Sequence, residues 1–177
     1  MPPSPIWAAT TASPAVSDVS ALRIPQAILD DLVAHARELD PFECCGLLAG
    51  KDGTVQRHYR IANAVAKDRQ AMQVFDDAQV KKLGDLAETT RAEVAYFMDP
   101  QEMLAAFKDM REKHLDLAVI YHSHTHSPAY PSETDVGLAY YPDAAYLIVS
   151  LENKSTPDMR AYWIKDRRVF PAEVQAI

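Results

Sequence analysis

The sequence predicts an α/β (α+β) fold, a mixed β-sheet sandwiched by helices. Two observations carry this expectation. Helical and strand-like segments alternate early in the chain, while strands cluster late. Leu115 to Tyr121 is also a nearly continuous apolar run, the pattern of a strand buried on both faces.

Length and composition fit that frame. The 177 residues suit one compact domain with a single core. A content of 48% apolar and 24% charged residues is ordinary for a soluble globular protein. The formal net charge of −7 argues against a nucleic-acid partner, because neutralising phosphates needs a basic face. No apolar run approaches the roughly 20 residues that span a bilayer, so no membrane partner is expected. Met1 to Val19 lacks both the basic start and the continuous apolar stretch of a signal peptide, which makes a cytoplasmic location the expectation.

Residues 1–22 hold Pro2, Pro3, Pro5 and Pro14 among Ala, Ser and Thr, and read as a flexible tail before a domain over 23–177. Pro25 suits a first helical turn. Ile24, Ile28, Leu32, Ala36 and Leu39 follow at helical spacing until Pro41 stops the helix. Cys44 to Ala49 and Val55 to Ile61 read as strands joined through Asp52-Gly53, a strong hairpin signal. Cys44 and Cys45 are neighbours, and a Cα separation of about 3.8 Å is too short for an ordinary disulfide. With no second pair for a four-cysteine zinc site, they read as small buried strand residues.

Ala64 to Arg91 is polar and helical in pattern, with Val80, Leu83 and Ala87 on one face, and reads as an insertion. A strand signal returns at Val94 to Met98. Asp99-Pro100-Gln101-Glu102 then supplies an N-cap, a proline at the first helical position and an acid three residues past the cap. Met103, Leu104, Phe107 and Met110 form the stripe this helix should bury. Beyond the strand at Leu115 to Tyr121, two more are expected at Ala145 to Leu151 and Met159 to Ile164, with a short one near Val169.

The stretch from His122 to Asp135 carries the chemistry. In a strand, positions i and i+2 point to one face, so His122 and His124 can offer two imidazoles to one ion while Ser123 turns away. Catalytic zinc sites usually take three protein ligands and leave a position for water, and Asp135 is the best-placed carboxylate for the third. A lone His-x-His is weak evidence, since two hydrogen-bonded histidines share the pattern. Ser132-x-x-Asp135 likewise has a plain reading, a capping box that opens a helix, and the two readings coexist. Proline at 128 makes His126 a solvent-facing loop residue, while His35, His58 and His114 fall on predicted helix and strand surfaces. Tyr121 and Tyr130 read as packing. No His-Glu-x-x-His helix is present, which excludes the thermolysin type of zinc peptidase.

In combination, His122-x-His124, seven residues, Ser132, two residues and Asp135 resemble the signature of the JAMM (MPN+) zinc metalloproteases. Glu43 in Pro41-Phe42-Glu43-Cys44-Cys45-Gly46 looks like that family's upstream glutamate. The wider run Val119-Ile120-Tyr121-His122-Ser123-His124-Thr125, with Ala129-Tyr130-Pro131-Ser132 behind it, is similar to the bacterial CysO-cysteine peptidase branch. That likeness spans roughly Ile24 to Ile61 and Tyr96 to Phe170. It implies a deaminase-like core and a Zn2+ ion held by His122, His124 and Asp135. It also implies Glu43 as the base that activates water and Ser132 as a hydrogen-bond donor to the developing oxyanion. The implied partner is a ubiquitin-like sulfur-carrier protein, or a peptide with a Gly-Gly tail, lying extended along a sheet edge and losing cysteine. A homodimer is compatible with these features.

An inactive MPN scaffold that binds partners is the competing reading, but such domains lack one or more of the five positions, and all five are filled here. A cupin-like metal protein would need a glutamate four to five residues after the second histidine, where Pro128 and Ala129 stand. The insertion lies between the hairpin that follows Glu43 and the elements that precede His122, a connection that in the related peptidases runs near the groove receiving the substrate tail. The resemblance implies a part in substrate selection and none in catalysis, and a solvated surface excursion is the equal alternative. Shortening 64–91 to a few residues should raise KM for a protein substrate while sparing kcat on a short peptide. An unchanged KM in a folded, zinc-loaded deletion would remove that role.

Overall fold

A computed structural model describes residues 21–65 and 92–177. The tail up to residue 20 and the body of the expected insertion, 66–91, lie outside the described residues. Among the described residues these elements follow one another: β1 (Leu22–Ile24), α1 (Gln26–Leu39), β2 (Cys45–Lys51), β3 (Thr54–Ile61), α2 (Pro100–Glu112), β4 (Asp116–His124), α3 (Glu133–Gly137), β5 (Ala145–Ser150), β6 (Asp158–Lys165), β7 (Arg168–Ala172) and β8 (Val174–Ala176). The strands build one sheet in the order β7-β6-β5-β4-β2-β3-β1-β8. It is mixed as expected, since β4 runs antiparallel to β2 and parallel to β5.

Side-chain alternation splits the core into two layers. Leu48, Val119, Tyr121, Leu147 and Val149 face α1, where Leu32 and Ala36 meet them. Leu47, Ala49, Ile120, Tyr146 and Ile148 face the other way, toward Ala106 and Met110 of α2. Each helix therefore covers one face of the same sheet, which explains why the central strands read as unbroken apolar runs. The β2–β3 hairpin turns at Asp52 and Gly53, both with positive φ (52° and 74°), the backbone that an Asp-Gly pair supplies in a two-residue turn.

The structure corrects several expectations. Ile24 belongs to β1, and Pro25 is the N-cap of α1, so the helix begins later and the folded domain earlier than predicted. Leu22 to Ile24 pairs in parallel with Val174 to Ala176, a long-range contact that local pattern does not reveal. Val94 to Met98 is not a strand: residues 92–94 are helical and only Met98 makes a bridge, to Asn63. The physical reason is that the Asn63 side chain takes the Ala95 carbonyl and the Phe97 amide, groups that a ladder would otherwise use. Leu104 lies on the solvent side of α2 at 55% exposure, and Ala106 takes its place in the buried stripe. Asp99 caps α2 as predicted, accepting from the amides of Gln101 and Glu102. The Glu102 carboxylate, though, reaches the Ala62 amide (2.7 Å) and ties α2 to the end of β3.

His35, His58 and Tyr121 are also more than surface and packing residues. The Tyr121 hydroxyl lies 2.8 Å from both His35 Nδ1 and His58 Nε2, and His58 Nδ1 lies 2.8 Å from the Asp31 carboxylate. A carboxylate only accepts, so His58 donates to Asp31, Tyr121 donates to His58, and His35 donates to Tyr121. Burial, with the Arg60 charge nearby, pushes His35 down to about 4 and keeps it neutral. One phenol thus fastens β4 to β3 and to α1. Its ring crosses β2 at Gly46, where an added Cβ would collide with the Tyr121 ring and the Tyr59 carbonyl. No helix among the described residues is long and apolar enough to cross a membrane.

Gly46→Ala is therefore expected to destabilise the fold by at least about 1–3 kcal/mol, the usual cost of overpacking a core. Urea unfolding of the two proteins measures it, and an unchanged midpoint would show that β2 yields more easily than this packing implies.

Candidate metal centre

β4 continues past the predicted Tyr121 to His124, so both histidines are strand residues. His122 pairs with Cys45 on one side and Ile148 on the other, and His124 pairs with Ser150. The alternation expected from sequence holds: both imidazoles share the face of Ile120, while Ser123 turns to the α1 side. There the Ser123 hydroxyl accepts from the Cys44 amide (2.8 Å), and the Ser123 amide donates to the Cys44 carbonyl (3.0 Å). Cys44 and Cys45 are buried and free, as their small-residue reading predicts.

Asp135 comes from the first turn of α3. Ser132 caps this helix by accepting from the Asp135 amide (3.1 Å), and Asp135 Oδ2 accepts from the Ser132 amide (2.7 Å) and hydroxyl (2.8 Å). That reciprocal pair fixes the carboxylate rotamer. Asp135 Oδ1 stands 3.2 Å from His122 Nε2 and Oδ2 stands 3.3 Å from His124 Nε2, while the two Nε2 atoms are 3.0 Å apart. All three residues offer ligand atoms within 4.8 Å of one another.

The donor set fits a divalent cation. His124 Nδ1 lies 2.8 Å from the Pro128 carbonyl and must donate to it, which leaves the Nε2 lone pair for the centre. Lone pairs and a carboxylate aimed at one another repel unless a cation or a proton sits among them. Two imidazoles and one carboxylate are also the ligand types zinc prefers in open catalytic sites. His122 Nδ1, by contrast, is buried without a hydrogen-bond partner among the described residues.

Glu43 is buried just before β2. Its amide donates to the Ala92 carbonyl (2.7 Å), and its carbonyl accepts from Asn63 Nδ2 (3.0 Å). Burial raises its carboxyl well above the usual range, and the negative charge of Asp135 adds to that. Burial pushes Asp135 the same way, but the two imidazoles outweigh it and hold Asp135 well below the carboxylate range. Glu43, His124, Ser132 and Asp135 line one cleft of about 260 Å³. His126 sits exposed at its rim, as the loop reading predicts, and Tyr130 is 57% exposed, with its ring edge-on to Tyr162.

Sequence reasoning missed Tyr96 and Asn63. The Tyr96 ring stacks on His122, centroids 4.5 Å apart and 25° from parallel, and forms one wall of the cleft. No local pattern marks either residue, because both act across long sequence separations. The strands beside the centre, β2 and β4, are interior to the sheet among the described residues.

Comparison with known proteins agrees with this geometry. Residues 25–165 match the family model of prokaryotic homologs of the JAB domain. The chain is 34% identical over 152 residues to the CysO-cysteine peptidase of Mycobacterium tuberculosis, covering 85% of this chain and 87% of that one. It is 30% identical over 133 residues to the desampylase of Haloferax volcanii, covering 72% and 78%. A solution structure of a Desulfitobacterium hafniense protein superposes with a TM-score of 0.67 at 31% identity, over 88% of this chain and 92% of the other. The matched span contains the hairpin behind Glu43, all of β4 and the capped turn that carries Asp135, and the chain belongs to the JAB/MPN (JAMM) family of hydrolases.

Proposed function

We propose that this chain is a zinc-dependent peptidase or isopeptidase that hydrolyses an amide bond at the C-terminus of a small ubiquitin-like carrier protein. Release of cysteine from a sulfur carrier extended past its Gly-Gly is the favoured reaction. The observation that carries the reading is the convergence of His122, His124 and Asp135, the last two of which share one cleft with a separately held, buried Glu43. The relatives named for CysO-cysteine and for desampylation support the substrate class, a conjugate of a ubiquitin-like protein. A water-filled cytoplasm is the setting this chemistry suits.

His122, His124 and Asp135 would hold the ion. Zinc bound there supplies Lewis acidity that polarises a carbonyl and acidifies water. Glu43 takes the proton of the attacking water and hands it to the leaving amine, and its raised basicity favours the first of these steps. Imidazoles that carry a proton hold Asp135 ionised, and a divalent cation in place of those protons would do the same. Ser132 braces Asp135 through its amide, and its hydroxyl, which borders the cleft and has a single proton, would turn that proton from Asp135 Oδ2 to the oxyanion as the assigned donor. Tyr96 closes the His122 side with an aromatic wall and limits water there. All five motif positions are filled, Glu43, His124, Ser132 and Asp135 line one cleft, and His122 lies within 3.2 Å of Asp135, which supports an active enzyme over an inactive scaffold.

The direct test incubates the zinc-loaded protein with a sulfur carrier extended by cysteine past Gly-Gly and follows intact mass. Loss of one cysteine residue supports the reading; an unchanged mass with a bound, zinc-loaded protein would overturn it. Glu43→Gln should lower turnover by about 10²–10⁴-fold while leaving zinc stoichiometry intact, since its part is proton transfer. Activity within tenfold of the parent would remove that role. Asp135→Ala should behave differently. Zinc content falls sharply if the carboxylate is a ligand, whereas a mere helix cap would cost about 0.5–2 kcal/mol with metal retained. Elemental analysis beside thermal unfolding separates the two.

A further inference from the structure

Four hydrogen bonds converge on the side chain of Asn63. Its Nδ2 donates to the Glu43 carbonyl (3.0 Å) and to the Ala95 carbonyl (3.1 Å). Its Oδ1 accepts from the amides of Val65 and Phe97, both at 3.1 Å. Both N–H donors and both oxygen lone pairs are thereby used, the full capacity of a carboxamide. The bonded groups are not scattered. Ala95 and Phe97 flank Tyr96, whose ring stacks on His122, and Glu43 is the carboxylic acid of the same cleft.

We propose that Asn63 is a positioning residue that sets Glu43 and Tyr96 in one geometry against His122. The inference rests on the reading of Glu43 as the base. Neither of the two residues is fixed by the sheet: Glu43 stands before β2, and Tyr96 lies between a helical turn and the single bridge at Met98. The Glu43 carboxyl has no hydrogen-bond partner among the described residues, so backbone placement and packing set where it points. That placement comes from two bonds, the Glu43 amide to Ala92 and the Asn63 amide group to the Glu43 carbonyl. The first links Glu43 to residues 92–97, and the second links both of these to the end of β3. Asn63 is thus the common fastening of two cleft residues that the segment from His122 to Asp135 does not carry. A misplacement of about 1 Å in such groups costs about 10²-fold in rate.

Asn63→Asp and Asn63→Ala test this. The aspartate keeps an acceptor for Val65 and Phe97 but loses both donations and sets a carboxylate oxygen against two carbonyls. In the zinc-loaded protein, with the carrier–cysteine fusion as substrate, kcat should fall by about 10–100-fold while KM stays within about threefold and zinc stoichiometry is unchanged. The second readout needs neither metal nor substrate. In the metal-free protein the ring protons of His122, measured by nuclear magnetic resonance, should lose the upfield ring-current shift from Tyr96. Tyr96→Leu gives the reference for that loss. A residue that only stabilised the chain would lower kcat in proportion to the unfolded fraction and leave the ring shift of the folded fraction in place. That pattern, or a kcat within about twofold of the parent, would overturn the proposal. If neither Asn63 variant folds, Tyr96→Leu decides, since unchanged kcat there removes the geometry Asn63 is said to set. Failure of the parent protein to cleave the fusion would defeat the proposed function alone, because the metal-free ring shifts still judge the placement of Tyr96.

Discussion

Everything at the metal centre depends on the strict two-residue alternation of β4 between two covered faces. Over its second half β4 is paired on both sides, with β2 through Cys45 and His122 and with β5 through Ser150 and His124. A slip of one residue would carry both imidazoles to the α1 side and bring Tyr121 and Ser123 to the cleft. The residues between the histidines and before them resist that slip. Ser123 is locked to Cys44 by two hydrogen bonds, and Tyr121 is locked to His35 and His58. The α1 face of the strand is polar at these positions in order to hold the other face still. Gly46 belongs to the same arrangement, because only a missing Cβ lets the Tyr121 ring cross β2 to reach β3.

Much of this was legible in the sequence, and the part that was not has a common cause. The hairpin at Asp52-Gly53, the capped start of α2, the buried β4 and the capping box at Ser132 are local patterns, and each appears where its residues predicted. The grouping of His122, His124 and Asp135 was legible by the same logic, because a strand end and a capped turn eleven residues later are short-range features. β1 and β8 escaped notice since three-residue strands that pair across the whole chain leave no local trace. Val94 to Met98 has strand composition but lost its ladder to a side chain, Asn63, that only the tertiary structure brings there. His35 and His58 followed helical and strand spacing to the surface, yet both turn inward to one phenol whose polar end no periodicity announces.

Two carboxylic acids share the cleft, and their surroundings drive them apart. Both are buried, and burial alone would make each harder to ionise. Asp135 has two imidazoles within 3.3 Å, which stabilise its charge when a proton sits on them, and it accepts two hydrogen bonds from Ser132. Glu43 has no such partner, and the Asp135 charge raises it further. One carboxylate is thus prepared to stay charged, and the other to take up a proton. Separating a pair of acids in this way suits the two roles proposed for them, a ligand in Asp135 and a base in Glu43.

The two tasks also have separate supports. The ligands come from one continuous segment, 122–135, in which a strand end, a carbonyl at Pro128 and a capped helix turn define every orientation. Glu43 and Tyr96 come from elsewhere in the chain and meet that segment from the opposite side, sewn together through Asn63, the Ala92 carbonyl and the bridge at Met98. Thr125 crosses between the two halves, its hydroxyl donating to the Glu93 carbonyl (3.1 Å). On the proposed reading, metal binding draws on 122–135, whereas proton transfer requires two distant parts of the chain to hold their distance. His124 and Asp135 keep their own hydrogen bonds within 122–135 when the opposite wall moves, whereas His122, with no partner for Nδ1 among the described residues, leans on the Tyr96 ring of that wall.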